Sequence, residues 1–375
     1  MKSAAEAPVS LSEDGGGRPR ASVLTGALVL VAVMWTLAFV GFSLAEDLLA
    51  WDVRFAYLPA AEAVLDGRSP YPELDDPILE DQKGYVYPPQ LVVALIPFTP
   101  LPIDVVAVLV TFALLALVAL TLWILDVRDL RCYAAAFLWM PTTSGVLLGN
   151  VSIPLAFALA VAWRYRETLW RPALAVGLAV SAKLLLWPVF VWMVATRRLR
   201  AAALSALIGA VVTFAAWAAI GFDGLRTYPD LLERLSEIQA ERSYSIVGMV
   251  ATLGLGSTAG NVLTVAAGLS LLVGCVVFAR RSDDARSFTC AVAATLVVSP
   301  IVWLHYLVVL LVPMAILRRR FSALWLLPIL LWASPRPGYA EGVQTFLPAL
   351  VASVLVAVLL LRPDEPRGVP AVVAT

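Results

Sequence analysis

Arginine recurs in this chain at intervals too short for ordinary membrane hairpins, and that spacing limits how it can fold. After Arg128 and Arg131, apolar blocks alternate with short basic groups: Arg164/Arg166/Arg171, Arg197/Arg198/Arg200, Arg280/Arg281/Arg286 and Arg318–Arg320. Positive residues favour the cytoplasmic side of a bilayer, so successive groups belong on one side and the chain between them must enter and return. Between Arg131 and Arg164 lie 32 residues, enough for a hairpin of two short helices. Between Arg171 and Arg197 lie only 25. Each arm of that second hairpin rises roughly 18 Å, against a hydrocarbon core of about 30 Å. It therefore reads as re-entrant, with an apex that only surrounding protein or a water-filled cavity can tolerate at membrane depth.

The remaining segments follow the same logic. A first span is expected over about Val23–Leu44 and a second over about Val105–Leu125. Between them runs a polar, acid-rich segment with a short helix near Phe55–Leu65 and a Pro-rich end, Tyr85-Val86-Tyr87-Pro88-Pro89. A pair of spans between Arg200 and Arg280 flanks Gly221–Ser245, which carries an amphipathic pattern in Leu225, Leu231, Leu232, Leu235 and Ile238. Further hairpins are expected to turn near Ser299-Pro300 and near Pro335–Gly338.

The fold class is thus all-α and polytopic, with about twelve transmembrane or re-entrant helices. Residues 1–20 read as a disordered cytoplasmic tail, 21–362 as one transmembrane domain, 46–102 as its first extracytoplasmic loop, and 363–375 as a second cytoplasmic tail. The run after Arg20 is too long for a signal-peptide core and lacks a small-residue cleavage site, so it reads as a retained span. On this topology about 19 Lys and Arg fall inside and about 7 outside, with Lys183 left in the short hairpin. No internal repeat is visible, which weighs against transporters built from duplicated halves.

Composition excludes other classes. At 61% apolar and 14% charged, with mean hydropathy +0.87, the chain is not an ordinary soluble domain. A formal net charge of zero points to no nucleic acid or other polyanion as partner. Cys132, Cys275 and Cys290 lie in or beside apolar runs, with neither a disulfide framework nor metal-ligand spacing. There is no phosphate loop and no dinucleotide fingerprint, so no cofactor is expected and an enzyme of this design would take a donor arriving through the lipid.

Ionisable groups near membrane depth are costly and usually functional. Asp52, just past the first span, is either a helix-capping or solvated carboxylate, or a base that takes a proton from an acceptor hydroxyl. Lys183, midway along the short hairpin, is either a snorkelling lysine or a cation for a phosphate head group. His305, the only histidine, is either a satisfied core residue or a donor to a leaving phosphate. Asn150, at the apex of the hairpin after Arg131, suits a polar contact or a helix cap. Trp51, Tyr57, Tyr85, Tyr87, Trp303 and Tyr306 fall at expected outer helix ends, where Trp and Tyr are enriched in any case.

Several ordered motifs resemble glycosyltransferase family 87. They are Asp52-Val-Arg-Phe-Ala-Tyr57 leading through Glu62 to Tyr71, then Tyr85-Val-Tyr87-Pro-Pro, Gly149-Asn150, Ser181-Ala-Lys183 leading to Pro188, and Ser299-Pro300-Ile-Val-Trp303-Leu-His305-Tyr306. The resemblance implies a GT-C-type fold in the plasma membrane. It implies metal-independent, inverting sugar transfer on the extracytoplasmic face, from a polyprenyl-phosphate sugar to a lipid-linked or glycan acceptor. Mannose is the sugar most often implied, with arabinofuranose in some relatives. By the same resemblance Asp52 is the general base, and Lys183 and His305 attend the donor phosphate. Arg54, Tyr57, Glu62, Tyr87, Asn150, Trp303 and Tyr306 are expected to contact substrate. The family often carries a second histidine where this chain has Tyr306. The competing reading is a transporter or flippase for a lipid-linked or small anionic solute, using the same Lys183 without chemistry.

Overall fold

The computed structural model describes residues 18–240, 242–334 and 345–361. The expected tail over residues 1–17, the turn at Pro335–Gly338 and the segment 363–375 lie outside the described residues. Among the described residues every regular element is helical. In chain order the α-helices are α1 (Arg18–Ala45), α2 (Leu58–Leu65), α3 (Gln90–Leu95), α4 (Ile103–Ile124), α5 (Leu130–Leu138), α6 (Met140–Leu148), α7 (Ser152–Arg164) and α8 (Trp170–Ala182). They continue with α9 (Pro188–Ala195), α10 (Leu199–Ala219), α11 (Tyr228–Gln239), α12 (Ile246–Thr252), α13 (Ser257–Arg280), α14 (Asp284–Val297), α15 (Leu311–Leu317) and α16 (Phe346–Leu361). The first helix starts at Arg18, inside the stretch read as tail; Pro19 fits a first helical turn, where no backbone donor is needed.

Among the described residues four helices are long and apolar enough to cross a membrane: Val23–Ala45, Ile103–Ile124, Leu199–Ala219 and Ser257–Arg280. The pair α6–α7, bent by 118°, makes a fifth if taken as one span. The chain is a membrane protein whose remaining apolar helices are short and broken. The expected interruptions have local causes. At Gly149 the backbone turns left-handed, φ 67°, and closes α6. A Cβ there would lie 2.9 Å from Val53 Cγ2 and 3.1 Å from Ala50 Cα, so the segment after α1 packs directly on this turn. At Lys183 the chain extends, φ −155° and ψ 111°, and α9 resumes only at Pro188, which lacks the N–H to continue an earlier helix.

Packing follows small residues and buried rings. Helices α8 and α10 cross at Gly177, where a Cβ would meet Ser205 O at 2.7 Å; such close crossings suit a lipid phase that offers no hydrophobic drive between helices. The main core gathers α4–α9, α14 and α15 around Trp139, Trp192, Phe288 and Trp325. A second core joins Val53, Tyr57, Tyr85 and Val92 of the segment between α1 and α4 to Val106 and Ala107 at the start of α4. By contrast, few residues of α1 and α13 are fully buried.

The arginine groups assemble at one end of this bundle. Asp284 accepts from Arg166 Nε at 2.9 Å, from Arg198 at 2.8 and 3.1 Å, and from Trp192 Nε1 at 2.7 Å, which locks the starts of α10 and α14 to the end of α7. Asp129 pairs with Arg131 at 2.8 Å and accepts from the Phe321 N–H. The opposite ends of α7, α8 and α14 lead into Asn150, Lys183 and Val298, which share one cavity. The 13 residues of α7 put roughly 20 Å between the two ends.

Candidate active site

That cavity has a volume of about 790 Å³ and collects most of the residues singled out from sequence: Asp52, Tyr57, Tyr87, Asn150, Lys183, Trp303, His305 and Tyr306. Their elements are far apart in the chain. Asp52 opens the π-helical turn Val53–Tyr57, Tyr87 belongs to the Pro-rich segment, and Asn150 sits at the α6–α7 bend. Lys183 marks the break after α8, while His305 and Tyr306 start the 3₁₀ stretch Leu304–Leu310.

The structure gives each of these residues a definite set of contacts. The Asp52 side chain makes no capping bond to the turn it precedes. Its Oδ2 instead accepts from Tyr57 Oη at 3.0 Å and from Asn150 Nδ2 at 2.7 Å. Both donors converge on one oxygen, so Oδ1 is left without a described protein partner. Loss of bulk water raises the carboxyl from its ordinary 3.8 to about 6, partly countered by the Asn150 and Tyr57 hydrogen bonds and by the Lys183 charge. Burial holds the Tyr57 phenol well above its usual value and pushes that of Tyr87 up to about 12, so both remain protonated donors.

Asn150 precedes the N-cap of α7, which is Val151, and its side chain makes contacts in two directions. Its Oδ1 accepts from Ser152 N at 3.0 Å and from Ser152 Oγ at 2.8 Å, which orients the amide with Nδ2 toward Asp52 and Tyr87 Oη. The two-residue spacing Asn-Val-Ser is an Asx-turn signal, and Ser152 was legible from it.

Lys183 does not snorkel. Its Nζ is buried without a hydrogen-bond partner and lies 3.4 Å from the Tyr306 ring centroid and 5.3 Å from that of Tyr87. His305 is 4% exposed, yet neither ring nitrogen has a hydrogen-bond partner among the described residues, unlike a satisfied core histidine. Buried polar groups of this kind, left unpaired beside a cavity, can meet a ligand that accepts hydrogen bonds or carries negative charge.

Arg54 and Glu62 lie apart from the cavity. Arg54 donates to Leu49 O at 2.8 Å and pairs with Asp104 at 2.5 Å, tying the turn after α1 to the start of α4. Glu62 is exposed on α2. The residues around Tyr87 were not anticipated. Tyr71 Oη donates to Tyr87 O at 3.2 Å, Tyr85 Oη to Pro88 O at 2.5 Å, and Tyr228 Oη, from α11, to Val86 O at 3.1 Å. Gln239, at the end of α11, donates to Leu79 O at 3.1 Å and completes this wall of the cavity. The amphipathic period predicts α11 but says nothing of which loop it would grip.

The family model for Glycosyltransferase family 87 matches residues 85–300. The chain is 26% identical over 312 residues to a polyprenol-phosphate-mannose-dependent alpha-(1-2)-phosphatidylinositol mannoside mannosyltransferase of Mycolicibacterium smegmatis, covering 72% of this chain and 70% of that protein. It is 27% identical over 358 residues to the protein of the same description from Mycobacterium tuberculosis, covering 83% and 82%. No solved structure matches. The match stops short of Asp52 on one side and His305 on the other, and the fold returns both to the cavity that the matched stretch lines. With more than half of its 375 residues inside the family model, the chain belongs to glycosyltransferase family 87 and is a glycosyltransferase.

Proposed function

We propose that the protein transfers mannose, with inversion, from a polyprenyl-phosphate carrier to a hydroxyl of a lipid-linked or glycan acceptor on the extracytoplasmic face. The observation that carries this reading is the convergence on one cavity of a carboxylate with a free oxygen and two buried, unpartnered nitrogen-bearing side chains, Lys183 and His305. The mycobacterial relatives, described as dependent on polyprenol-phosphate-mannose, favour that donor and that sugar.

In the proposed step Asp52 Oδ1 takes the acceptor hydroxyl proton as the acceptor oxygen bonds to the anomeric carbon. The bond from that carbon to the phosphate oxygen breaks, its electron pair staying with the departing polyprenyl phosphate. Lys183 meets the charge that develops there and His305 donates to it, the electrostatic contribution that dominates many transfers. A carboxylate raised to about 6 by burial is a better base than a solvated one and is still ionised near neutrality. Exposed Leu184 and Trp187 line the same cavity and give the prenyl chain an apolar way in from the side.

The sidedness belongs to the same proposal. The arginine groups and the cavity occupy opposite ends of α7, α8 and α14, so with arginines inside, both termini are cytoplasmic and the cavity opens outward. The broken helices suit a GT-C-type arrangement of about twelve spanning and re-entrant segments in the plasma membrane.

The test is transfer of radiolabelled mannose from polyprenyl-phosphate-mannose in right-side-out vesicles with and without the protein, Asp52→Ala serving as control. Protein-dependent incorporation that the mutant loses supports the reading. Direct use of a nucleotide sugar, or full activity in Asp52→Ala, ends it.

A further inference from the structure

Lys183 brings to the cavity a buried ammonium with neither a hydrogen bond nor a carboxylate within ion-pair distance among the described residues. Its Nζ has no hydrogen-bond partner, and no ion pair to it forms within 4 Å among the described residues. What it does have is the face of Tyr306, 3.4 Å from Nζ to ring centroid, with Tyr87 more distant at 5.3 Å. We propose that Tyr306 is a positioning residue for the donor phosphate, its ring face holding the Lys183 ammonium in place without neutralising it. This rests on the phosphate-donor reading above.

The choice of partner matters. A carboxylate at that position would hold the lysine firmly but cancel the charge a phosphate must find. An aromatic face attracts the cation through the ring quadrupole, more strongly where water is excluded, and leaves N–H directions open to the cavity. The ring itself is fixed from two sides. His305 packs edge-on against it, 4.8 Å between centroids at 77°, and the Tyr306 backbone N–H donates to Trp303 O at 3.0 Å. His305 in turn is set over Gly145 of α6, where a Cβ would come within 3.7 Å of its own. The lysine backbone needs such a seat: it lies in the extended break between α8 and the turn Leu184–Leu186, with no helix to direct its side chain.

The experiment replaces Tyr306 with phenylalanine and with phenylalanines carrying one, two and three ring fluorines, introduced by nonsense suppression. The purified protein in lipid nanodiscs is then titrated with a short-chain polyprenyl phosphate. Fluorines drain the ring face while barely changing its size, so packing survives along the series, and elution of each variant as one sharp peak confirms folding. The Kd is expected to rise stepwise with each fluorine, by about tenfold in all. In a Lys183→Met background the same series is expected to be flat. A flat series with Lys183 present, in a protein that still binds polyprenyl phosphate, overturns the role of Tyr306 and leaves the donor reading standing. No binding by the unsubstituted protein overturns the donor reading, and this inference with it.

Discussion

Asn150 donates its side-chain amide to Asp52 Oδ2 across 2.7 Å, although 98 residues separate the two in the chain. Because Ser152 occupies the other end of that amide, the group has one orientation, and because Tyr57 donates to the same Asp52 oxygen, the carboxylate has one free face. Replacing Asn150 with alanine removes a bond that favours the ionised carboxylate, so the Asp52 carboxyl titrates higher. The expected result is a fall in kcat on the order of ten- to a hundredfold, with the acid limb of the rate profile moved to higher pH. A lowered rate with an unmoved limb would show that Asn150 contributes only to folding.

The pH dependence of the intact protein has a definite sign. With the Asp52 carboxyl raised to about 6, kcat/KM is expected to fall about tenfold per unit as pH drops below that value. Stability runs the other way. A carboxyl held above its unfolded value of 3.8 contributes stability fully present below that value and lost as pH rises through about 6. Asp52→Asn should therefore be inactive throughout, and its melting temperature relative to wild type should be higher above that window than below it.

Gly149 carries the turn that sets Asn150 against the segment holding Asp52. An alanine there meets both a left-handed φ of 67° and the Ala50 backbone at 3.1 Å. The conformational term alone costs about 1–2 kcal/mol, and the clash pushes the Asp52 turn away from Asn150. Gly149→Ala is expected to lose most transfer activity while remaining in the membrane, measured by the same mannose assay normalised to protein level.

At the far end, Asp284 accepts from Arg166, Arg198 and Trp192 together, while Glu167 accepts from Arg198 as well. Asp284→Ala leaves two guanidinium groups crowded without it, a loss on the order of 3 kcal/mol for a partly buried network. The expected outcome is a lower melting temperature in detergent with the catalytic pH profile unchanged, since this cluster is remote from the cavity. A shifted profile would mean that the two ends of the bundle are coupled.

Much of the backbone was legible from the chain alone. Long uncharged runs give α1, α4, α10 and α13 because only helices satisfy their own polar groups in lipid. The Arg171–Arg197 interval foretells the break at Lys183, and Gly149 and Pro188 act through steric constraints on their own residues. These are local effects, so local sequence reports them. The expected hairpin between Arg131 and Arg164 is instead three helices, α5, α6 and α7, because Pro141 and Gly149 divide it twice.

The roles within the site are another matter. Arg54 and Asp52 are two residues apart, yet one is drawn to Asp104 and the other to Asn150. Tyr306 stands beside His305 in sequence, but its ring has meaning only because Lys183, more than a hundred residues earlier, arrives above it. The chain by itself determined a helical membrane protein with interrupted spans and a short list of costly polar groups. Only the tertiary structure decided which of those groups share a cavity, because a side chain's partner is chosen by how distant helices pack, and nothing in its own neighbourhood along the chain records that choice.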